Sequence, residues 1–323
     1  MKLEKLTPAF KDYLWGGTKL RDVYHKPCDF DKVAESWELS THPAGESRLT
    51  GGEYDGLTLN QYIEKLGKQV LGKNTARFEN FPVLIKFIDA KDPLSIQVHP
   101  SDEYALRVEH EYGKTEMWYV MDCEPGAFLY FGVNREVTRE EFAQRIENNT
   151  VLEVLNKEEV HPGDVFFIES GTIHAIGAGI LICEIQQNSN CTYRVYDYDR
   201  RGADGKPREL HVEKALEVSR FTPSDTASHL KPVEEVPGGT RQGLGHCQYF
   251  HTEKLEVTGE MELNVGEDSF ASLIVLTGSG TAAGPENQVE FVPGDSLFVP
   301  AGTGKVTLSG PCTVVKTTVP AAE

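Results

Sequence analysis

The sequence predicts a mostly β protein, two β-barrels with a few inserted α-helices. Three observations predict it. Short segments rich in β-branched and aromatic residues, bounded by Gly, Pro or Asp, recur along the 323 residues. Few stretches have helical spacing. One turn–strand–turn unit occurs twice.

The strand-like segments are FPVLIKFIDA (81–90), LSIQVH (94–99), MWYVMD (117–122), AFLYFGV (127–133), DVFFIE (164–169) and LICEIQ (181–186). The same character returns in SLIVLTG (272–278), QVEFV (288–292), SLFVP (296–300) and CTVVKTTV (312–319). Helical spacing is confined to three stretches. Over 59–71, Leu59, Tyr62, Ile63, Leu66 and Val70 share one face. Thr138 opens T-R-E-E, a capped start for a helix through Phe142 and Ile146. Residues 211–221 repeat the pattern more briefly. H-P-S-D-E (99–103) reads as a further capped start, with Asp102 and Glu103 as helix-terminus charges. Trp15 and Trp37 read as core.

The repeat sets PGDVFFIESGTIH (162–174) against PGDSLFVPAGTGK (293–305) at a constant offset of 131 residues. Phe167 matches Phe298, Ile168 matches Val299, and Gly171-Thr172 matches Gly302-Thr303. Between the copies, TPSDTASHLKPVEEVPGGT is polar and rich in Pro, Ser and Gly. It marks a linker at about 223–239, between an N-terminal domain, 1–222, and a C-terminal domain, 240–323.

The net charge is −18. Such a surface repels nucleic acid and anionic membranes, so neither is an expected partner. It also repels phosphate esters, so a phosphorylated ligand requires a local cationic pocket. Six cysteines without a CxxC pair give no disulfide framework. The start, MKLEKLTPAF, has no apolar core of signal-peptide length. No run approaches the roughly 20 apolar residues of a membrane span. A reducing, cytoplasmic setting is expected.

Gln97 and His99 stand two apart on one strand and so point to one face. Glu116 opens the next strand, and His174 follows the Gly-Thr turn after DVFFIE. Imidazole, carboxylate and amide donors suit zinc, iron or manganese. One divalent metal ion bound by Gln97, His99, Glu116 and His174 is the expectation. The second copy has Lys305 where His174 stands and no matching Q-x-H strand, so the metal is expected in the first barrel only.

G-D-V-F-F-I-E-S-G-T-I-H resembles the second cupin motif through Gly163, Gly171 and His174. Glu169 and Ala178 depart from the usual Pro and Asn. P-L-S-I-Q-V-H-P (93–100) followed by K-T-E-M-W-Y (114–119) is similar to the signature of the type I mannose-6-phosphate isomerases. W-G-G (15–17), E-S-W-E-L-S (35–40), G-T-I-H-A-I-G (171–177) and Y-R-V-Y-D-Y-D-R (193–200) carry the same resemblance. The match is closest to the short bacterial form and weaker from 222 onward.

The resemblance implies two cupin (jelly-roll) barrels and an aldose–ketose isomerase with one zinc ion per chain. It would interconvert mannose 6-phosphate and fructose 6-phosphate through a cis-enediol, as a monomer or weak homo-oligomer. Its catalytic arginine falls on Arg194, and its pocket residues fall on Ser95, Lys114, Glu184 and Arg200. Asn190 stands where the family has Asp. Within that frame Glu184 is the carboxylate base candidate and Lys114 a donor to a sugar hydroxyl or phosphate. Arg194 suits a developing oxyanion, and Arg200 suits phosphate. Two other readings compete: a metal cupin oxygenase, which Gln97 in the first ligand position disfavours, and a non-catalytic sugar-binding bicupin.

Overall fold

The structure, a computed structural model, describes residues 1–202, 205–224 and 229–322. Residues 225–228 of the expected linker lie outside the described residues. The described residues form four sheets whose paired strands run antiparallel. The first barrel joins two of them. The six-stranded sheet contains Val165–Ile168, Glu116–Cys123, Ile180–Gln187, Val83–Ala90, Glu35–Leu39 and Ala9–Lys11. The five-stranded sheet contains Tyr193–Tyr196, Ile96–Val98, His174–Ala175, Phe128–Val133 and Leu155–Glu159. Trp118, Val120 and Ile182 of the former share one apolar cluster with Leu129 and Phe131 of the latter.

The second barrel joins an eight-stranded and a four-stranded sheet. Leu273, Val275, Leu297 and Val299 of the larger pack with Met261, Phe291, Val306 and Leu308 of the smaller. The two barrels meet through a shared core, where Ile85, Phe87, Cys183 and Ile185 join Ile274, Phe298 and Val315.

Alternation along these strands decides what enters the first barrel. Strand Val83–Ala90 is buried on both faces. Ile85 and Phe87 face the junction. Lys86 and Ile88, one residue out of phase, face the barrel interior. By the same period Met117 and Cys183 turn to the junction, while Glu116, Trp118, Ile182 and Glu184 turn inward. The repeat also keeps its roles, since Phe167 and Phe298 both enter the shared core.

The W-G-G segment is a close approach. A Cβ on Gly16 would sit 2.6 Å from Ala34 Cα, and one on Gly17 2.3 Å from the Asp89 carboxylate. That contact lays Trp15 into the barrel cluster, as expected of a core residue.

Several elements differ in extent from expectation. The helix expected over 59–71 ends at Leu66, because Gly67 takes φ 89° and the chain continues as a 3-10 turn, Lys68–Leu71. Thr58 caps it, accepting from Gln61 N. The Thr138 cap forms as read, with helix Arg139–Glu147 behind it. Ser101 makes no side-chain cap for helix Asp102–Val108. Asp102 is instead a tie-point, accepting from Gly113 N, Gln187 Nε2 and Tyr249 OH. Strand Val233–Val236 forms inside the polar segment and pairs with Gly239–His246. Strand Glu4–Thr7 lies in the second barrel's large sheet, between Ser296–Val299 and Arg48–Thr50.

Candidate active site

Gln97 is paired across the sheet with His174 on one side and Arg194 on the other. Directly opposed residues share a face, so the three form a row pointing into the first barrel. His99 enters from the same strand end, two residues on. Glu116 arrives from the six-stranded sheet, opposite Ile168.

His99, Glu116 and His174 are buried, and their ligand atoms all lie within 4.8 Å of one another. His99 Nδ1 is 2.9 Å from Cys191 O, and His174 Nδ1 is 2.8 Å from Thr172 O. Those carbonyls accept from the Nδ1–H groups, which leaves both Nε2 atoms as acceptors aimed at the centre. Burial lowers both imidazoles well below their ordinary range, His174 to about 4, with the Lys114 charge adding to it. Neutral imidazole is the ligating form.

Around the trio runs a buried chain of charges. Glu35 lies 3.4 Å from Lys86, Lys86 3.7 Å from Glu184, Glu184 3.6 Å from Lys114, and Lys114 2.6 Å from Glu116. Lys114 Nζ is also 3.2 Å from His99 Nε2. Trp118 Nε1 donates to Glu184 Oε1 at 3.0 Å. Burial and the facing Glu184 push Glu116 up. Burial of Glu184 is outweighed by Lys114 and Lys86, which hold it down.

These residues fit a divalent cation. His174 Nε2 and both Glu116 carboxylate oxygens are buried without a hydrogen-bond partner. The Lys114 ammonium stands 2.6 Å from Glu116 Oε2 as its ion-pair partner. With all three carboxylates ionised, two ammonium groups leave one formal negative charge over, which a proton on the raised Glu116 or a bound cation would balance. Left unbalanced in a dry interior, such a charge is costly.

A cavity of about 390 Å³ opens beside the trio, lined in part by Trp15, Lys86, Ser95, Gln97, Lys114, Glu184, Asn190, Arg194 and Arg208. Arg194 donates from Nε to Ser95 Oγ at 3.2 Å and from Nη1 to Glu209 O at 2.8 Å. Asn190 stands at the mouth, its backbone N–H bonded to Glu111. Arg200 is not among the lining residues; its guanidinium binds Pro93 O and Asp197. A larger cavity, about 740 Å³, lies against helix Leu59–Leu66 and Ala301–Gly302. Among the described residues it is lined by no histidine, and the smaller cavity is the one that adjoins the trio.

Sequence reading missed Lys86, Glu35 and Arg208. Lys86 carried one signal, a lone cation flanked by Ile85 and Phe87 in a mostly apolar strand. Arg208 carried none.

The family model "Phosphomannose isomerase type I, catalytic domain" matches residues 3–123. The model "Mannose-6-phosphate isomerase, cupin domain" matches residues 242–319. The mannose-6-phosphate isomerase of Bacillus subtilis (strain 168) is 39% identical over 305 residues, 94% of each chain. This chain belongs to the type I mannose-6-phosphate isomerase family. That of Streptococcus mutans is 35% identical over 89% of each chain. The crystal structure of the Bacillus subtilis mannose 6-phosphate isomerase superposes with a TM-score of 0.91 at 34% identity, over 98% of this chain and 99% of that one. The Salmonella typhimurium isomerase, at 19% identity and a TM-score of 0.78, shares the fold.

Proposed function

We propose that this aldose–ketose isomerase interconverts D-mannose 6-phosphate and D-fructose 6-phosphate with one zinc ion per chain, held by Gln97, His99, Glu116 and His174. The observation that carries the reading is the convergence of buried acceptor atoms with no hydrogen-bond donor, His174 Nε2 and the two Glu116 oxygens, beside His99 and with Lys114 as the ion-pair partner of Glu116. Two imidazoles, one carboxylate and one amide suit zinc with a position left for substrate. When bound, such an ion polarises the sugar carbonyl and stabilises negative charge on its oxygen.

The rest falls to the chain's own groups. Isomerisation moves one proton between C2 and C1 and a second between O2 and O1, so that C1 and C2 exchange oxidation levels through a cis-enediol. Glu184 lines the cavity with Oε2 free of any hydrogen bond. It takes the carbon-bound proton and returns it to the neighbouring carbon. Lys114, fixed between Glu116 and Glu184, donates to a sugar oxygen. Arg194 cannot serve as a base, because its guanidinium stays protonated. Held by Ser95 and Glu209, it supplies a pre-oriented cation for the developing oxyanion. Ser95 presents its hydroxyl to the same space, and Arg200 secures the cavity's edge through Pro93 and Asp197.

Residues 1–222 supply every group in this scheme, and residues 240–323 form a metal-free supporting domain. The six cysteines are free, which fits a cytoplasmic setting. Among the described residues no helix is long and apolar enough to cross a membrane. Neither the oxygenase nor the non-catalytic reading draws support from a specific feature of the site.

The test is interconversion of the two sugar phosphates with and without a chelator, alongside elemental analysis. Zinc at one ion per chain, activity lost on chelation and activity restored by zinc are the expected results. Full turnover in protein shown to be metal-free would overturn the metal's role. A zinc-loaded chain without interconversion would overturn the substrate assignment.

A further inference from the structure

We propose that Arg220 is a positioning residue for the metal centre, clamping with Glu169 the turn 169–172 that holds both imidazole-bearing segments; this rests on the metal reading above. The turn reaches both through its backbone. Thr172 O accepts from His174 Nδ1 at 2.8 Å, and Gly171 N donates to the backbone carbonyl of His99 at 2.8 Å. Partners of this kind fix the orientation of a ligating imidazole. A displaced turn would tilt one ring and shift the strand end that carries the other.

The second barrel shows how the same turn is held without a metal. At the 131-residue offset Pro300 stands against Glu169, and Thr303 against Thr172. Both copies keep the bond from Thr N to the carbonyl three residues back, at 3.1 and 3.3 Å. Both place glycine at positive φ, 87° at Gly171 and 79° at Gly302. Gly302 N donates to Gly266 O at 2.8 Å, as Gly171 N does to His99 O. In the second copy the Pro300 ring fixes φ at the head of the turn, and Thr303 Oγ1 donates to Pro300 O at 2.6 Å.

The first copy has Glu169 in place of the ring, and Arg220 supplies the restraint. Its Nη1 donates to Glu169 Oε2 at 2.6 Å and its Nη2 to Thr172 Oγ1 at 2.7 Å. Its backbone N–H donates to Gly171 O at 2.8 Å. One residue, two beyond helix Val212–Val218, thus binds three of the turn's four residues. The planar fork suits such bridging. The Arg220 and Glu169 side chains are 44% and 52% exposed, and an ion pair so exposed adds little to global stability. Its effect is therefore local, on the aim of His174. Glu169 for proline and Arg220 are two halves of one exchange, an ion pair in place of a ring.

Zinc binding to the metal-free full chain is measured by competition with a chromophoric chelator, alongside melting of the same protein without metal. Arg220→Ala should weaken zinc binding roughly tenfold, the lower end for losing an outer partner of a metal site. The metal-free melt should stay nearly in place. Adding Glu169→Pro to Arg220→Ala should recover most of the lost affinity, because the ring restores the restraint that Pro300 supplies. Unchanged zinc affinity in Arg220→Ala overturns the proposal. So does a loss that Glu169→Pro leaves uncorrected, since the effect would then not pass through the turn. Should Arg220→Ala fail to fold, Arg220→Gln with and without Glu169→Pro decides by the same constant. A wild-type chain that takes up no metal overturns the metal reading and the clamp's role with it, whereas a zinc-binding wild type with an unaltered Arg220→Ala overturns the clamp alone.

Discussion

Where the first barrel pairs Ile168 with Glu116 and His174 with Gln97, the second pairs Val299 with Ala271 and Lys305 with Asn264. Two residues beyond Gln97 stands His99; two beyond Asn264 stands Gly266. Every proposed metal ligand thus has a counterpart that cannot do its work. The amide is shortened, one imidazole is absent, the carboxylate is a methyl group, and the other imidazole is an ammonium group. Lys305 turns outward to Glu262, its side chain 64% exposed. Leu273, Leu297, Val306 and Leu308 fill the space between the second barrel's sheets. Turns and strands therefore hold the barrel shape whether its interior is a charge network or an apolar plug. On the proposed reading, chemistry and support are divided between two copies of one scaffold.

The comparison breaks most readily at His174. His174→Ala should empty the first barrel of metal and lower kcat/KM by roughly a thousandfold or more, the loss of a several-kcal/mol electrostatic contribution. Metal analysis and the isomerase assay check it, and a variant that retains one ion per chain would dissolve the contrast. Lys114→Met should lower kcat by roughly a hundredfold. It should also destabilise the metal-free protein by about 3 kcal/mol, since Glu116 and Glu184 then face each other without a cation between them. Denaturant melts of the metal-free protein measure that loss.

A smaller effect tests the second barrel. Burial pushes Glu4, on the strand that joins its large sheet, up to about 7. The folded state therefore binds a proton that the unfolded state has released between the ordinary carboxylate range and pH 7. Stability falls as pH rises through that window. Glu4→Gln should raise stability at pH 8 by roughly 2 kcal/mol, change little at pH 4, and leave kcat alone. Melting curves at the two pH values decide it. The smallest expected effect is none. Lys305→His alone should leave metal content at that of the parent, because Ala271 and Gly266 supply no other ligand.

What was legible in the sequence follows from range. Gln97 and His99 could be paired by eye because a strand repeats every two residues. The barrels could be matched because Pro-Gly-Asp and Gly-Thr turns keep their chemistry wherever they stand. Lys86 was not legible as a site residue. Its meaning comes from Glu35 and Glu184 on flanking strands, and nothing within its own strand announces them. Arg208 is placed by Asp197 from a loop without periodicity. Strands Gly239–His246 and Leu155–Glu159 escaped notice because glycine or exposed polar residues hide the alternation. The linker read at 223–239 shows the same limit, since Val233–Val236 is almost wholly exposed and pairs only with its sequence neighbour.

Strand Glu4–Thr7 has a consequence for how the molecule is made. Its partners are Arg48–Thr50 and Ser296–Val299, so one edge is satisfied early in synthesis and the other waits for most of the chain. At ordinary elongation rates that wait is on the order of 15 to 60 seconds. During it a strand with Leu6 and an ionisable Glu4 stands half-paired, a template for another nascent chain. Closure of the second barrel's large sheet thus needs residues that are synthesised late, and its pairing is a non-local one of the slow kind. A ribosome stalled before residue 296 should yield a first barrel already formed and an open sheet beside it, the species most exposed to aggregation.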